Sequence, residues 1–140
     1  VNLFAPMLLT RAVVAGAGEG QVPAIVQIID QRVRNPNGDQ LSYTLSKQAL
    51  GASVRSLAAA FGKRARVNGV APGLVIPTDD YDDAQMARLN DEMPLGRLPD
   101  AQAIAETVLY LAKAPHVTGQ IIYVDGGAHL RSYQRDFMHI

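Results

Sequence analysis

Tyr43 and Lys47 stand four residues apart in the run Ser42-Tyr43-Thr44-Leu45-Ser46-Lys47, a spacing that puts a phenol and an ammonium on one face of a helix. Such a pair is an acid–base device. A free tyrosine titrates near ~10 and exchanges protons poorly at neutral pH, whereas a nearby cation favours the phenolate and lowers that value. Lys47 is expected to supply the cation. Asp30, in Ile28-Ile29-Asp30-Gln31-Arg32-Val33, closes an apolar run. An ionised carboxylate can only accept hydrogen bonds, so it suits N–H donors. The plainer alternative is a turn aspartate that satisfies neighbouring backbone N–H groups.

The elements around these residues read as an α/β crevice. Ala24-Ile25-Val26-Gln27-Ile28-Ile29 is a continuous apolar run of the kind that forms a buried strand. After it, Leu50, Val54, Leu57, Ala58 and Phe61 recur at helical spacing, so Tyr43 and Lys47 fall in the first turns of a helix. Ala65 to Ala71 reads as the next parallel strand, ending at Pro72-Gly73, where a ligand crevice would open. Asn2 through Ala15 reads as a helix with Leu3, Met7 and Val14 on one apolar stripe and Phe4, Leu8 and Ala12 on another. Leu74 to Pro99 is the least regular stretch; it reads as a lid containing a short aspartate-capped helix from about Asp83 to Glu92. A helix from Pro99-Asp100 through Ala112, with Ile104, Val108 and Leu111 inward, and a strand from Gln120 to Val124 complete the pattern. Gly16-Ala17-Gly18-Glu19-Gly20 follows a helical pattern and runs into Val22-Pro23, so it reads as a loop and not as a phosphate-binding turn.

Composition narrows the function classes. Thirteen basic and thirteen acidic residues leave no basic stripe for nucleic acid, and no apolar run reaches the ~18 residues of a membrane span. Without cysteine there is no disulfide framework and no thiol chemistry, which suits a reducing cytoplasm. His116, His129 and His139 lack ligand spacing; they are expected on the surface or tail, and no metal site is expected. Gly51, Ala52, Ser53, Ser56 and Ala59 sit off the apolar stripe of the Tyr43 helix and would let another subunit pack closely. Arg131, Tyr133, Arg135 and Phe137 equip the tail to dock on a neighbouring subunit.

These motifs, in this order, resemble the short-chain dehydrogenase/reductase family. Asn2 falls where the family keeps an asparagine before its fifth strand, Tyr43 and Lys47 on its Tyr-x-x-x-Lys, and Arg66-Val67-Asn68 with Ala71-Pro72-Gly73 on its sixth strand and Pro-Gly turn. Thr118-Gly119 and Val124-Asp125-Gly126-Gly127 match its last strand. Asp30 occupies the place of the usual serine, and in this the chain is similar to the pteridine reductase branch, the dihydropteridine and dihydromonapterin reductases. The resemblance covers the family's second half. It implies that residues 1–140 are the C-terminal part of one Rossmann-like, doubly wound domain whose glycine-rich cofactor-binding half lies outside this sequence, which begins at Val1 within what the family makes a long helix. By that reading the isolated chain would be unstable and inactive.

The resemblance further implies NADPH as cofactor, NADH being the other option, and a pterin as substrate. Tyr43, Asp30, Lys47 and Asn2 would be catalytic, Lys47 also binding the nicotinamide ribose and Asn2 holding a water between Lys47 and solvent. Asn2, Tyr43, Lys47, Pro72, Gly73, Val75 and Thr78 would contact cofactor; Asp30, Tyr43, Leu74 and Pro77 would contact substrate, with 74–99 as the closing segment. A homotetramer is implied, with the terminal residues near an adjacent active site. Two other functions stay open: a carbonyl or alcohol oxidoreductase in which Asp30 replaces serine, and a non-catalytic assembly subunit or fragment.

Overall fold

The computed structural model describes residues 1–140. Three strands, β1 (Ala24–Ile28), β2 (Arg66–Pro72) and β3 (Ile121–Val124), form one parallel sheet in the order β1-β2-β3. Ala24 lies opposite Arg66 and Ile28 opposite Val70, while Gly69 lies opposite Ile121 and Pro72 opposite Val124. Four helices, α1 (Phe4–Gly16), α2 (Leu41–Phe61), α3 (Asp83–Glu92) and α4 (Ala101–Lys113), surround it. Thus the α/β architecture expected from the sequence is the one observed.

β2 is central, and Val67 through Ala71 are all buried. Ala71 packs with Ile29, Leu50 and Val54 on the α2 side. Towards α4, the Arg66 guanidinium reaches the Leu111 and Ala112 carbonyls at 2.8 and 2.7 Å, and Asn68 donates to the Val117 carbonyl at 2.9 Å. Arg66 thereby satisfies carbonyls that the end of α4 leaves open. α2 buries Leu50, Val54 and Ala58 at four-residue steps and stops at Gly62, whose positive φ of 51° returns its N–H to the Ala58 carbonyl. Aspartate caps start the other two helices: Asp82 accepts from Gln85 N–H at 2.7 Å and Asp100 from Ala103 N–H at 2.8 Å.

Two side-chain expectations are corrected below. In α1 only Thr10 and Val14 are buried, and Phe4, Met7, Leu8, Leu9 and Val13 are exposed, as expected of an apolar helix whose second side lacks cover. A polar contact instead ties α1 to β1: Gln27 donates to Thr10 Oγ1, which donates to the Pro6 carbonyl, both at 2.8 Å. Gly51 is not on an outward small-residue face, since it is buried with Ile29 and Val33 at 3.7 and 3.8 Å from where a Cβ would sit. The tail does not wait for a neighbour. Phe137 packs with Leu89, Met93 and Ala128 in a second core that also gathers Leu74, Tyr81, Leu98 and Tyr133, so the irregular 74–99 stretch and the terminus brace each other. Gln85 closes this core by donating to the Phe137 carbonyl at 2.8 Å.

Histidine 129 is also corrected: it is half-buried, holds Asp125 at 2.9 Å and stacks on Tyr123 with 4.3 Å between ring centres. His116 and His139 are exposed. Asp125 itself crosses close to the turn after β2, where a Cβ on Gly73 would come within 2.9 Å of its Cα. Next to it, Gly126 has a φ of +66°, and a Cβ there would run into the Arg97 carbonyl oxygen. Gly126→Ala is therefore expected to cost ~2 kcal/mol or more, from left-handed backbone strain plus a backbone collision. Gly16→Ala, with open space around it, stays within ~0.5 kcal/mol. Urea midpoints of the two variants, read side by side, test the difference.

Candidate active site

The chain leaves β1 at Ile28, and Ile29 keeps the strand direction by donating its N–H to the Val70 carbonyl at 2.8 Å. Asp30 follows in extended conformation and caps the single turn Gln31–Val33, accepting the Arg32 N–H on Oδ1 at 2.8 Å. Its other oxygen, Oδ2, accepts the Tyr43 hydroxyl at 3.0 Å. Turn aspartate and site aspartate are therefore not alternatives: one oxygen does each job.

Tyr43 and Lys47 lie on one face of α2, with the Lys47 ammonium 5.7 Å from the centre of the Tyr43 ring. Lys47 Nζ donates to the Ile28 carbonyl at 3.0 Å, which anchors it to the end of β1 and leaves its other hydrogens free. Its pKa is lowered, because burial of the ammonium outweighs the attraction of Asp30. The electrostatics of Tyr43 run opposite to the expectation drawn from Lys47. Burial first, then the charge and hydrogen bond of Asp30, push its pKa well above the ordinary tyrosine value, and Arg32 opposes this only weakly. Tyr43 is thus a neutral phenol at physiological pH, a proton donor and not a standing phenolate.

Arg32 is the third charged member, after Asp30 and Lys47. Its guanidinium lies 5.3 Å from the Tyr43 ring centre, its Nε is 3.4 Å from Asp30 Oδ1, and its Nη2 donates to Asp136 of the tail. Arg32 and Asp136 side chains are only 11% and 4% exposed. Asp39 fixes the tail in turn, accepting the Asp136 N–H at 2.8 Å and the Arg135 Nε at 2.9 Å. Nothing in the local sequence joins Asp136 to Arg32, which are 104 residues apart.

Two separate hollows lie beside this cluster. A groove of about 570 Å³ runs between α1 and β1, lined by Asn2, Leu9, Val26, Ile28, Lys47 and Leu50 among others. A smaller cavity of about 110 Å³ is lined by Asp30, Arg32, Gly73, Leu74, Tyr81, Asp136 and Phe137 with Gln31. Lys47 lines the groove and Asp30 the cavity, while Tyr43, bonded to Asp30, lines neither. Asn2 shares the groove with Lys47, half-buried and without a hydrogen bond to it. Gly73 and Leu74 are brought to Asp30. Pro72 ends β2 just before them, and Val75 is half-buried. Pro77 and Thr78 are exposed, and Thr78 spends its hydroxyl on Asp80 at 2.7 Å, so neither is joined to the Asp30–Tyr43 pair. No helix is long and apolar enough to cross a membrane.

Residues 1–129 match the family model described as enoyl-(acyl carrier protein) reductase. The fold, the motif order and this match show that the chain belongs to the short-chain dehydrogenase/reductase family. Among solved structures it is similar to FolM alternative dihydrofolate reductase 1 from Brucella canis complexed with NADP, at 39% identity and a TM-score of 0.84 over 93% of this chain and 51% of that one. The Brucella suis FolM structure in complex with NADP gives 38% identity and a TM-score of 0.89 over 94% and 53%. Carbonyl reductase family member 4 of Xenopus laevis is 36% identical over 93% of this chain and 55% of its own length. The 3-oxoacyl-(acyl-carrier-protein) reductase of Bos taurus is 37% identical over 92% and 54%. The chain spans about half the length of the curated relatives it matches.

Because Asp30 is one cause of the raised Tyr43 pKa, Asp30→Asn is expected to move the Tyr43 titration to lower pH, while burial keeps it above the ordinary ~10. Carbon NMR of ring-labelled tyrosine, assigned with Tyr43→Phe, follows that one phenol. A Tyr43 midpoint indifferent to Asp30→Asn would show that the two groups are not coupled.

Proposed function

We propose that the chain is the C-terminal part of an NADPH-dependent reductase that acts on a dihydropterin ring, the observation that carries this being a neutral Tyr43 whose hydroxyl is bonded to Asp30. A bound nicotinamide supplies hydride. Lys47, with hydrogens to spare beyond its bond to Ile28, fits the hydroxyls of a nicotinamide ribose in the groove, and Asn2 on the same wall keeps a water path to it. Pro72, Gly73, Val75 and Thr78 are assigned to the cofactor side; Asp30, Tyr43, Leu74 and Pro77 to the substrate side, with 74–99 closing over both. The NADP-bound FolM structures support the choice of NADPH and, since dihydrofolate carries a dihydropterin ring, of the substrate class.

The proton chemistry follows from the site. Reduction of an imine C=N bond needs hydride at carbon and a proton at nitrogen; Tyr43 holds a proton and its O–H points into the polar corner beside Asp30. A carboxylate in that corner accepts from the N–H groups of a pterin, whereas a lone ketone oxygen would face it without a donor, at a cost of ~1–3 kcal/mol. A simple carbonyl reductase, the other reading, draws on the names of the carbonyl and oxoacyl reductase relatives, yet it gives the Asp30 carboxylate no substrate N–H to accept from. Our reading includes a cytoplasmic homotetramer; the exposed apolar residues of α1 support a contact face.

In the complete reductase, Tyr43→Phe is expected to cut turnover ~10²–10⁴-fold, the usual worth of a general acid. Lys47→Ala should do similar damage and weaken cofactor binding as well. NADPH oxidation measured with dihydrobiopterin, dihydromonapterin and small ketones decides the substrate class: dihydropterin turnover that is lost in Asp30→Ser is the expected result. Turnover of ketones alone, or dihydropterin turnover indifferent to Asp30→Ser, would establish the carbonyl reductase reading instead. By itself, the 140-residue polypeptide should bind NADPH weakly in calorimetry, since none of its helices begins at a glycine-rich turn fit for a pyrophosphate.

A further inference from the structure

The Arg32 guanidinium lies between two carboxylates and is shared unequally. Its Nη2 donates to Asp136 Oδ2, whereas its Nε, 3.4 Å from Asp30 Oδ1, makes no hydrogen bond. An arginine beside a carboxylate often closes a two-pronged pair that engages both oxygens. On Asp30 such a pair would compete with bonds already made, since Oδ1 accepts the Arg32 N–H and Oδ2 the Tyr43 hydroxyl. The second carboxylate removes the competition. Asp136 divides its oxygens as Asp30 does: Oδ1 accepts the Met138 N–H at 3.1 Å and Oδ2 takes the cation. The titratable groups near the guanidinium are Asp30 on its own turn, Tyr43 on α2, Asp136 on the tail and Tyr81 of the 74–99 segment, with Lys47 5.7 Å from the Tyr43 ring centre.

The tail that carries Asp136 is itself held in place. Asp39 accepts the Asp136 N–H and the Arg135 Nε, Gln85 donates to the Phe137 and Ile140 carbonyls at 2.8 and 3.4 Å, and Phe137 is seated in the second core. We propose that Asp136 is a positioning residue: by binding Arg32 Nη2 it holds the guanidinium off Asp30 Oδ2, which stays bonded to the Tyr43 hydroxyl. Docking of the C-terminal residues thereby sets the geometry of the proton donor from the far end of the chain. The inference rests on the reading of Tyr43 as that donor and adds the residue that keeps its partner free. Charge points the same way. Burial and Asp30 raise the Tyr43 pKa, Arg32 opposes them, and Asp136 adds to the rise. Once Asp136 is neutral, its hold on the cation weakens, and the guanidinium turns to the carboxylate that its Nε already approaches.

The test is a double-mutant cycle in the complete reductase, with Asp136→Asn, Arg32→Gln and the two together. Each protein is read in two ways. The chemical shift of Tyr43 Cζ in ring-labelled protein at neutral pH reports the hydrogen bond of the phenol, and NADPH oxidation with dihydrobiopterin reports turnover. Asp136→Asn should displace the Cζ signal and lower turnover about 10-fold, a part of the ~10²–10⁴ that a general acid contributes. In the Arg32→Gln background the same substitution should change neither, because no guanidinium is left to compete for Asp30. The double variant also guards against misfolding, since it removes both charges of a buried pair, whereas Asp136→Asn alone leaves the cation with one partner fewer. A purely structural Asp136 would lower the melting temperature of Asp136→Asn without displacing the Cζ signal, and that result overturns the inference. A displacement of equal size in both backgrounds overturns it as well. Dihydrobiopterin turnover with an unmoved Cζ signal in Asp136→Asn overturns the inference and leaves the substrate reading standing. A displacement that requires Arg32, in a protein that does not turn over dihydrobiopterin, upholds the inference and overturns the substrate reading.

Discussion

The carboxylate of Asp30 is the point on which the site turns, because its two oxygens are divided between two structural levels. Oδ1 closes the turn that redirects the chain after β1, and Oδ2 holds the hydroxyl of a tyrosine that the next helix brings in. A serine hydroxyl could make one of these bonds well. Two acceptor oxygens on a planar group make both at once, and the negative charge keeps Arg32 close by and Tyr43 protonated. Local backbone geometry, side-chain position and proton affinity are thereby set by one residue.

The parallel sheet supplies the rigidity this needs. β2 is buried on both faces, so the ends of β1 and β2 cannot shift independently, and the Ile29 N–H bonded to Val70 carries that registry up to the residue before Asp30. α2 is held against the same strands by Leu50 and Val54, which fixes Tyr43 and Lys47 relative to the strand ends. Lys47 bonds the last carbonyl of β1 and so reports strand position directly to the acid–base pair. The outer wall is built differently. It comes from the 74–99 stretch and the tail, which share a separate small core around Leu89, Met93 and Phe137.

The electrostatic outcome sets the protonation state of the phenol. Proximity of a lysine alone would favour phenolate. Burial and a neighbouring carboxylate reverse this in Tyr43 and favour the neutral form. The same burial makes Lys47 a weaker cation than its type suggests. In Tyr43, burial is the larger cause and Asp30 the second.

Much was legible in the sequence where the physics is local. The four-residue step from Tyr43 to Lys47, the aspartate caps before α3 and α4, the apolar runs of β1 and β2, and the Pro-Gly turn each depend on a few neighbouring residues and came out within a residue or two of their observed bounds. Asp30 could be singled out only through the family resemblance, as the residue standing where the usual serine is expected. What the sequence could not decide were quantities that depend on burial and on partners remote in the chain. Tyr43 acquired its raised pKa from desolvation, Gly51 was buried by Ile29 and Val33, and His129 found Asp125 and Tyr123. Above all, the tail that composition suggested for a neighbouring subunit docks on its own chain, because only tertiary folding sets Asp136 beside Arg32 across 104 residues. Periodicity and turn chemistry determined the elements; the low-dielectric packing of distant charges decided how the site behaves.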